Sequence, residues 1–574
     1  MPAAATALDP GSALAEARPS LFGARQLRLF PLLLAASLLS STSHARAPAP
    51  AERAARWWQD VSTLASDGME GRLTGSAGYD RAADHVVSRL KEIGLRPAGV
   101  GGWFQPVAFE EQYVDAAASR ASLVTAGQTT VLALPGDLIV GRGGAPIPER
   151  VDAPLVFVGY GLHIPEAGHD DFAGVDVRGK IAVFVSGGPA AISGALKSDA
   201  RAQRARLLQA RGAVGMIALT TPKAVEVPWS RTMTLSSQSG MFLADPAARE
   251  LKGPFLSASF NPERSALLFS ASGRDFAAIA ALADDSRPVP SFELGQRLEA
   301  EFASRRAPVA SKNVVALLRG SDRRLRSEYV ILSAHLDGLG IGAPIDGDPV
   351  YNGALDNAGG VASLLDIAAR IKAGKMRPKR SILFLFVTAE EKGLLGSHYF
   401  ATRPTVPARA IVANFNFDMP LPIFPLRSVI ALGAEESGLG GLARQTGAAL
   451  GLPLAPDPVP ERNSFIRSDQ YSFIRRGIPA LAFKFGFAKD SPEAAIEKNW
   501  RATRYHGPSD DPGQSVEQLG NIRLNDFVAD LALRTANAPQ RPDWLPGSFF
   551  RRYAERAGER AAAAASLKNP RGGD

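Results

Sequence analysis

The sequence contains no cysteine among its 574 residues. Disulfides, thiolate zinc sites, cysteine nucleophiles and lipid attachment through cysteine are therefore excluded. Any bound metal must be held by nitrogen and oxygen atoms, and only seven histidines can supply the nitrogen. The sequence also lacks a dense Lys/Arg block with interleaved aromatic residues, although its formal net charge is +8. Nucleic acid is therefore not an expected partner.

Long apolar runs are scarce, and the one near the start of the chain is short. The run "LFPLLLAASLL" follows Arg25 and Arg28 and leads into small residues. This combination is typical of a secretory signal, with cleavage expected near Ala45 or Ala47. The sequence therefore predicts a secreted or periplasmic protein without stable membrane insertion after cleavage. An uncleaved signal that anchors the protein is the alternative, although the run is short for a membrane span.

The length predicts more than one domain. After a signal peptide and N-terminal extension over 1–47, residues 48–125 form the first part of the main domain. Residues 126–290 change to short β-like runs separated by Gly and Pro, which predicts an inserted β-rich domain. Residues 291–540 form the rest of the main domain, and residues 541–574 form a C-terminal tail with a helical start.

After about residue 310, apolar strand-like runs alternate regularly with amphipathic helical segments. Examples are "EYVILSA", "SILFLFV" and "RAIVANFNF", each followed by a helical pattern. Fully apolar strands between helices predict an α/β fold, with a mostly parallel sheet covered by helices on both faces. Ligands bind such sheets at the carboxyl ends of the strands.

Histidine and acidic residues stand at these predicted strand ends and in two loops. Any one of them has an ordinary structural explanation, such as a helix cap or a solvated strand end. Two imidazoles and three carboxylates together suit a pair of divalent ions, with zinc the leading candidate, and one carboxylate has to bridge the pair. The residues at these positions are His335, Asp337, Asp356, Glu390, Glu391, Asp418 and His506.

Glu390 and Glu391 are neighbours directly after the strand-like run "SILFLFVTA". Side chains at neighbouring strand positions point in opposite directions. This arrangement suits a metal ligand beside a general base, and it also suits a solvated strand end followed by a helix.

The motifs "SAHLDGLG", "YNGALDNAGG", "TAEEKGLLGS", "NFNFDM" and "YHGPSDD" occur in this order. Together they resemble the co-catalytic di-zinc peptidases of metallopeptidase family twenty-eight, which include secreted bacterial aminopeptidases and glutamate carboxypeptidase II. The stretch from "APLVFVGYGL" to "ARGAVGMIALTT" resembles the protease-associated (PA) domain inserted in some members. The resemblance implies a zinc-exopeptidase fold of the phosphorylase/hydrolase-like type and two Zn²⁺ ions per chain.

The resemblance also implies a role for each site residue. Asp356 would bridge the two metals, and Asp337 would hydrogen-bond the imidazole of His335. Glu390 would be the general base acting on the metal-activated water, and Tyr505 would help to stabilise the oxyanion. The remaining ligands would be His335 and Asp418 on one ion, and Glu391 and His506 on the other. The motifs depart from the family at Gly338 and Gln470, where relatives often carry histidine.

The expected activity is removal of N-terminal residues from peptides, so peptide substrates are the expected partners. A carboxypeptidase is the first alternative and would need basic residues for the terminal carboxylate. Less favoured alternatives are a non-catalytic peptide-binding protein and a one-zinc cyclase acting on N-terminal glutamine. The sequence does not determine the oligomeric state. The candidate basic residues are Arg467, Arg475, Arg476, Lys484 and Arg504.

Overall fold

The computed structural model describes residues 48–141, 144–236, 238–374 and 376–568. The predicted signal segment, with Ala45 and Ala47, lies outside them. Within the described residues, the α-helices are α1 (Pro50–Leu64), α2 (Ala77–Ile93), α3 (Gly194–Ala210), α4 (Trp229–Leu235), α5 (Phe276–Asp284), α6 (Gly359–Ala373), α7 (Leu395–Thr402), α8 (Leu439–Leu450), α9 (Gln470–Ile474), α10 (Pro492–Thr503), α11 (Gln518–Asn537) and α12 (Arg551–Lys568). In these residues no helix is both long and apolar enough to cross a membrane.

The strands belong to one large sheet and two small hairpins. They are β1 (Arg96–Pro97), β2 (Phe104–Thr125), β3 (Gln128–Leu132), β4 (Leu138–Val140), β5 (Arg150–Val158), β6 (His163–Ile164), β7 (His169–Asp170), β8 (Ile181–Val185), β9 (Gly215–Leu219), β10 (Gly240–Leu243), β11 (Leu256–Phe260), β12 (Ser291–Leu318), β13 (Tyr329–His335), β14 (Gly340–Ile345), β15 (Asp348–Tyr351), β16 (Ser381–Val387), β17 (Ile411–Asn416), β18 (Val429–Leu432), β19 (Leu454–Ala455) and β20 (Ala480–Phe485).

The half of the sheet that carries the site has the order β19-β18-β20-β17-β13-β16-β12. Its centre, β20-β17-β13-β16, is parallel, and antiparallel pairs flank it at β18–β20 and β12–β16. All seven residues of β16 are buried, as expected for a central strand covered on both faces. The predicted fold, an α/β protein with a mostly parallel sheet, is confirmed.

Helices cover both faces of this half. Val330 and Leu332 of β13 pack into the core shared with α1, α2, α6 and α11, whereas Ile331 faces the core that contains residues of α7 and α9. This alternation follows from the two-residue period of a strand. Helix α2 begins where the Ser76 side chain accepts a hydrogen bond from the Tyr79 N–H, and it ends at Gly94 in the left-handed conformation.

The predicted inserted region has a hydrophobic core of its own, built on the parallel strands β5, β8, β9 and β11. The long strands β2 and β12 go beyond what the sequence patterns predict. They pair with each other, and β12 also pairs with β5 and β16, so one strand passes from the inserted region into the main sheet. The assignment of residues 126–290 to a PA domain stays a prediction.

Candidate metal centre

Strand register brings the first three site segments together. In the parallel sheet His335 on β13 lies opposite Val387 on β16, and Ser333 on β13 lies opposite Asn416 on β17. The residues that follow β16 and β17 therefore leave the sheet at the same edge as His335. These residues are Glu390, Glu391 and Asp418.

The five predicted metal ligands form two groups that share Asp356. The first group is His335, Asp356 and Asp418, and the second is Asp356, Glu391 and His506. One carboxylate oxygen of Asp356 lies 3.3 Å from Nε2 of His335, and the other lies 3.4 Å from Nε2 of His506. A carboxylate that offers one oxygen to each group has the arrangement of a bridging ligand.

The distances within each group fit a tetrahedral ion. Nε2 of His335 is 3.5 Å from Asp418, and Nε2 of His506 is 3.4 Å from Glu391. Two ligand atoms about 2.0–2.1 Å from a tetrahedral zinc ion lie about 3.3–3.4 Å from each other. The donor set, two imidazoles and three carboxylates without thiolate, also suits zinc. The residues present therefore fit a pair of zinc ions.

The Asp337 carboxylate organises the loop that carries the two glutamates. It accepts hydrogen bonds from the backbone N–H groups of Glu390 (3.0 Å) and Glu391 (3.3 Å) and from the hydroxyl of Thr74 (3.2 Å). Strand β16 has already ended at Val387, and Ala389 adopts a left-handed φ of 54°. The two glutamates are therefore placed by a turn fixed on Asp337, and not by the strand alternation that the sequence pattern suggests.

The contact between Asp337 and His335 also differs from the expected one. Nδ1 of His335 lies 3.1 Å from the backbone carbonyl oxygen of Asp337, whereas the nearer carboxylate oxygen is 3.9 Å away. Because a carbonyl can only accept, Nδ1 carries a proton, so the neutral form of the imidazole would present the lone pair of Nε2 to a metal.

Asp356 lies in a loop held by groups that the sequence analysis did not single out. The Asp510 carboxylate accepts the backbone N–H groups of Leu355 (3.0 Å) and Asp356 (2.9 Å), and Gln514 donates to Asp510 at 2.6 Å. The motif "YHGPSDD" contains Asp510, but the sequence offers no sign that this residue would bind the distant "YNGALDN" loop.

Arg72 is a second residue that sequence reasoning missed. Its side chain is fully buried and donates to the carbonyl oxygens of Leu336, Leu64, Asn352 and Gly353 at 2.7–3.0 Å. These four bonds join the segment after α1 to the loops that follow His335 and precede Asp356. Burial lowers the pKa of Arg72 to about 10, and the guanidinium stays charged at neutral pH.

The electrostatic field of the centre favours cations. Burial alone would favour the neutral imidazole of His506, but Glu391 and Asp356 outweigh it and raise its pKa to about 10. Burial, reinforced by Asp418 and Glu391, raises the pKa of Glu390 well above its usual value. Burial also raises the pKa of Asp337 to about 6. Buried carboxylates that attract protons this strongly also attract divalent ions, which would replace those protons.

Glu390 and Tyr505 line one small cavity with the ligands. The cavity has a volume of about 80 Å³. The Tyr505 ring stacks on the His506 ring with centroids 3.8 Å apart, and burial, with Asp356 and Glu391, raises the pKa of Tyr505. The phenol is therefore a neutral donor at ordinary pH.

Only two of the five basic residues considered for a carboxylate-binding role line this cavity, namely Arg467 and Lys484. Lys484 donates to the carbonyl oxygens of Asp418 and Met419 at 3.2 Å, and burial lowers its pKa to about 8. The other three have partners elsewhere. Arg475 pairs with Glu250, Arg476 donates to Thr402, and Arg504 donates to the carbonyl of Ser509.

Two histidine–carboxylate groups that share one aspartate form a candidate metal site, with the ligand arrangement that two-metal hydrolytic enzymes use. Residues 313–531, which include all the predicted ligands, match the model of peptidase family M28. Over this segment the chain is similar to peptidase family M28.

The chain is similar to several known proteins over part of its length. It is 26% identical over 240 residues to leupeptin-inactivating enzyme 1 of Streptomyces exfoliatus, which covers 41% of this chain and 48% of that protein. It is 38% identical over 112 residues to a probable zinc metalloprotease of Pyrenophora teres, covering 20% of this chain and 23% of that protein. The chain thus spans half or less of the length of these curated relatives.

Among solved structures, the chain is similar to an aminopeptidase from Aneurinibacillus sp. strain AM-1. The TM-score is 0.49 at 19% identity, and the match covers 85% of this chain and 95% of that chain.

Proposed function

We propose that the protein is a zinc-dependent exopeptidase, most simply an aminopeptidase, that holds two zinc ions and acts outside the cytoplasm. The observation that carries the proposal is the sharing of Asp356 between two histidine–carboxylate groups, with Glu390 on the wall of the same cavity. The match to peptidase family M28 supports the reaction class.

His335, Asp356 and Asp418 would hold one zinc ion, and Asp356, Glu391 and His506 the other. When bound, the ions would polarise a peptide carbonyl and make water a better nucleophile at neutral pH. Glu390 takes the proton of the attacking water and passes it to the leaving amine, because it faces the cavity without being needed as a ligand. The Tyr505 hydroxyl donates a hydrogen bond to the carbonyl oxygen as negative charge develops there.

The surroundings of the centre support action on chain ends. The metal cavity is small, with a volume of about 80 Å³. Part of the inserted region also forms hydrogen bonds with the loops of the site. Arg231 donates to the carbonyl of Tyr505 (3.2 Å), Gln238 to that of Leu339 (2.7 Å), and Lys392 to that of Ser239 (3.0 Å).

The test is zinc-dependent hydrolysis of one peptide in two forms, with a free and with an acetylated amino terminus. Release of the first residue from the free form alone is expected. The Glu390→Gln variant should lose at least about 100-fold in kcat while still binding zinc. Shortening of both forms from the carboxyl end would make the protein a carboxypeptidase. No hydrolysis of either form by the zinc-loaded protein would contradict the proposal.

A further inference from the structure

A second cavity adjoins the metal cavity. It has a volume of about 740 Å³ and lies between α3 of the inserted region and the loop before α9. Arg462 and Arg467 line both cavities, so the two adjoin at these side chains. A peptide end held at the metal centre would therefore lie next to the larger cavity.

Three guanidinium groups on the wall of this second cavity form no ion pair with any side chain that the structure describes. Arg201 donates to the carbonyl oxygen of Gly187, and Arg204 donates to the carbonyls of Tyr160 and Gly161. Arg467 is exposed and lines both cavities. Together these three residues are the arginine pocket: Arg201, Arg204 and Arg467.

The charge of the neighbouring Arg462 is neutralised by two carboxylates. It pairs with Glu497 at 2.9 Å and with Glu226 at 3.1 Å. In the arginine pocket the charges instead oppose one another. Burial, together with Arg467, lowers the pKa of Arg201, and burial, together with Arg201, lowers the pKa of Arg204 to about 9. Asp171 offsets only part of this effect at Arg204, so an anion in the pocket would stabilise the like charges.

The guanidinium group of Arg204 is held in a fixed orientation. It is only 8% exposed, and its guanidinium lies 3.8 Å from the centre of the Phe184 ring. Two backbone carbonyls and one aromatic face therefore fix its plane. A guanidinium held in this way matches the planar geometry of a carboxylate better than a mobile ammonium group would.

We propose that the arginine pocket binds a carboxylate of the peptide substrate, either the terminal carboxylate of a short peptide or an acidic side chain. This inference rests on the proposed function, because peptide is the ligand that the adjoining metal centre would bring to the pocket. The enzyme would then favour substrates whose far end is anionic.

The test is a binding measurement on the zinc-loaded full chain carrying Glu390→Gln, so that the peptides remain intact. Isothermal titration compares Ala-Ala-Ala with its C-terminal amide, and Ala-Asp-Ala-amide with Ala-Asn-Ala-amide. We expect the anionic member of at least one pair to bind about 10- to 100-fold more tightly, as for a charge-assisted hydrogen bond. A preference within the first pair assigns the terminal carboxylate, and one within the second pair assigns an acidic side chain.

Adding Arg467→Gln should reduce that preference to less than about threefold, with little change in affinity for the neutral peptides. Arg467 is chosen because it is exposed, so the variant should fold. Arg206→Gln is the matched control, since Arg206 lies on the same helix α3 but outside the cavity. It should leave the preference unchanged.

Equal affinity within both pairs, or no binding of any of the peptides, would overturn the inference. The inference would also be overturned if the preference for the anionic peptide remained in both the Arg201→Gln and the Arg467→Gln variants. Failure of the wild-type enzyme to hydrolyse these peptides would count against the proposed function alone, since affinity is measured on the inactive variant.

Discussion

The carboxylate of Asp510 accepts the backbone N–H of Asp356, the shared ligand of the two metal groups, at 2.9 Å. The same carboxylate also holds the N–H of Leu355, and the backbone carbonyl of Asp510 accepts the N–H of Ala354. Asp510 lies four residues after His506 in the chain. One short segment therefore supplies a proposed ligand and also positions the proposed bridging ligand.

Replacing Asp510 by Asn should lower zinc affinity about 10- to 100-fold, the usual effect of losing a group that orients a metal ligand. The amide nitrogen of asparagine cannot accept at the position of Oδ1, where Leu355 and Gln514 both donate, so the Asp356 loop would shift. Competition with a chromophoric chelator measures the affinity. Asp511→Asn is the matched control, because the Asp511 side chain accepts the N–H of Gly513 within its own turn. Unchanged affinity in Asp510→Asn would contradict the assigned role.

The number of zinc ions bound per chain should show whether two metal sites share Asp356. We expect the wild-type protein to retain two zinc ions per chain after dialysis. Asp418→Asn should retain one, because the group of Asp356, Glu391 and His506 stays complete. Asp356→Asn should weaken both sites, because it removes a ligand from each group. Elemental analysis measures the content, and one zinc ion in the wild-type protein would refute the two-ion centre.

Chelation of the metal should lower the thermal stability of the protein. A ligand present at about 1,000 times its Kd stabilises the folded state by about 4 kcal/mol. The melting temperature should therefore fall on addition of EDTA and recover with excess zinc. Asp356→Asn should show a smaller fall, since it holds less metal at the start. An EDTA effect of equal size in this variant would show that the stabilising metal binds elsewhere.

Arg72→Met should destabilise the fold by at least about 3 kcal/mol, because each buried acceptor left without a donor costs about 1–3 kcal/mol. Four carbonyl oxygens lose a hydrogen bond in this variant, and among the described residues only that of Gly353 keeps another donor, the N–H of Ala358. Arg72→Lys should rescue only part of the loss, since a compact ammonium group cannot reproduce the planar fork. Urea unfolding measures the stability. Full rescue by lysine would show that the charge matters and the geometry does not.

Asp199 of α3 joins the inserted region to the C-terminal segment. It is 2% exposed and accepts hydrogen bonds from the hydroxyl groups of Tyr471 and Tyr553, and it pairs with Arg552 at 2.7 Å. Asp199→Ala should lower the free energy of unfolding by about 3 kcal/mol, because two tyrosine hydroxyls lose their acceptor and Arg552 loses one of its two carboxylate partners. Asp152→Ala, which removes an exposed pair with Arg297, should cost no more than about 1 kcal/mol. Similar losses in both variants would contradict the structural role of Asp199.

Much of the main sheet could be predicted from the sequence, because its strands are continuous apolar runs and its helices carry ordinary end signals. "SILFLFV" forms β16 with every residue buried, and α2 ends at Gly94 in the left-handed conformation. The long pairing of β2 with β12 could not be predicted. Its residues alternate between polar and apolar like any half-exposed strand, and partner choice across about 190 residues leaves no local trace.

The candidate ligands followed from the sequence alone, because histidine and carboxylates at successive strand ends are visible as residue types in order. What the sequence could not determine is which backbone groups hold them. His335 is oriented by the carbonyl of Asp337, the glutamates by its carboxylate, and Asp356 by Asp510. Most of these contacts join segments far apart in the chain, and only the packing of the sheet and its loops decides them. The arginine pocket belongs to the same category, since it exists only because α3 and the loop before α9 face each other.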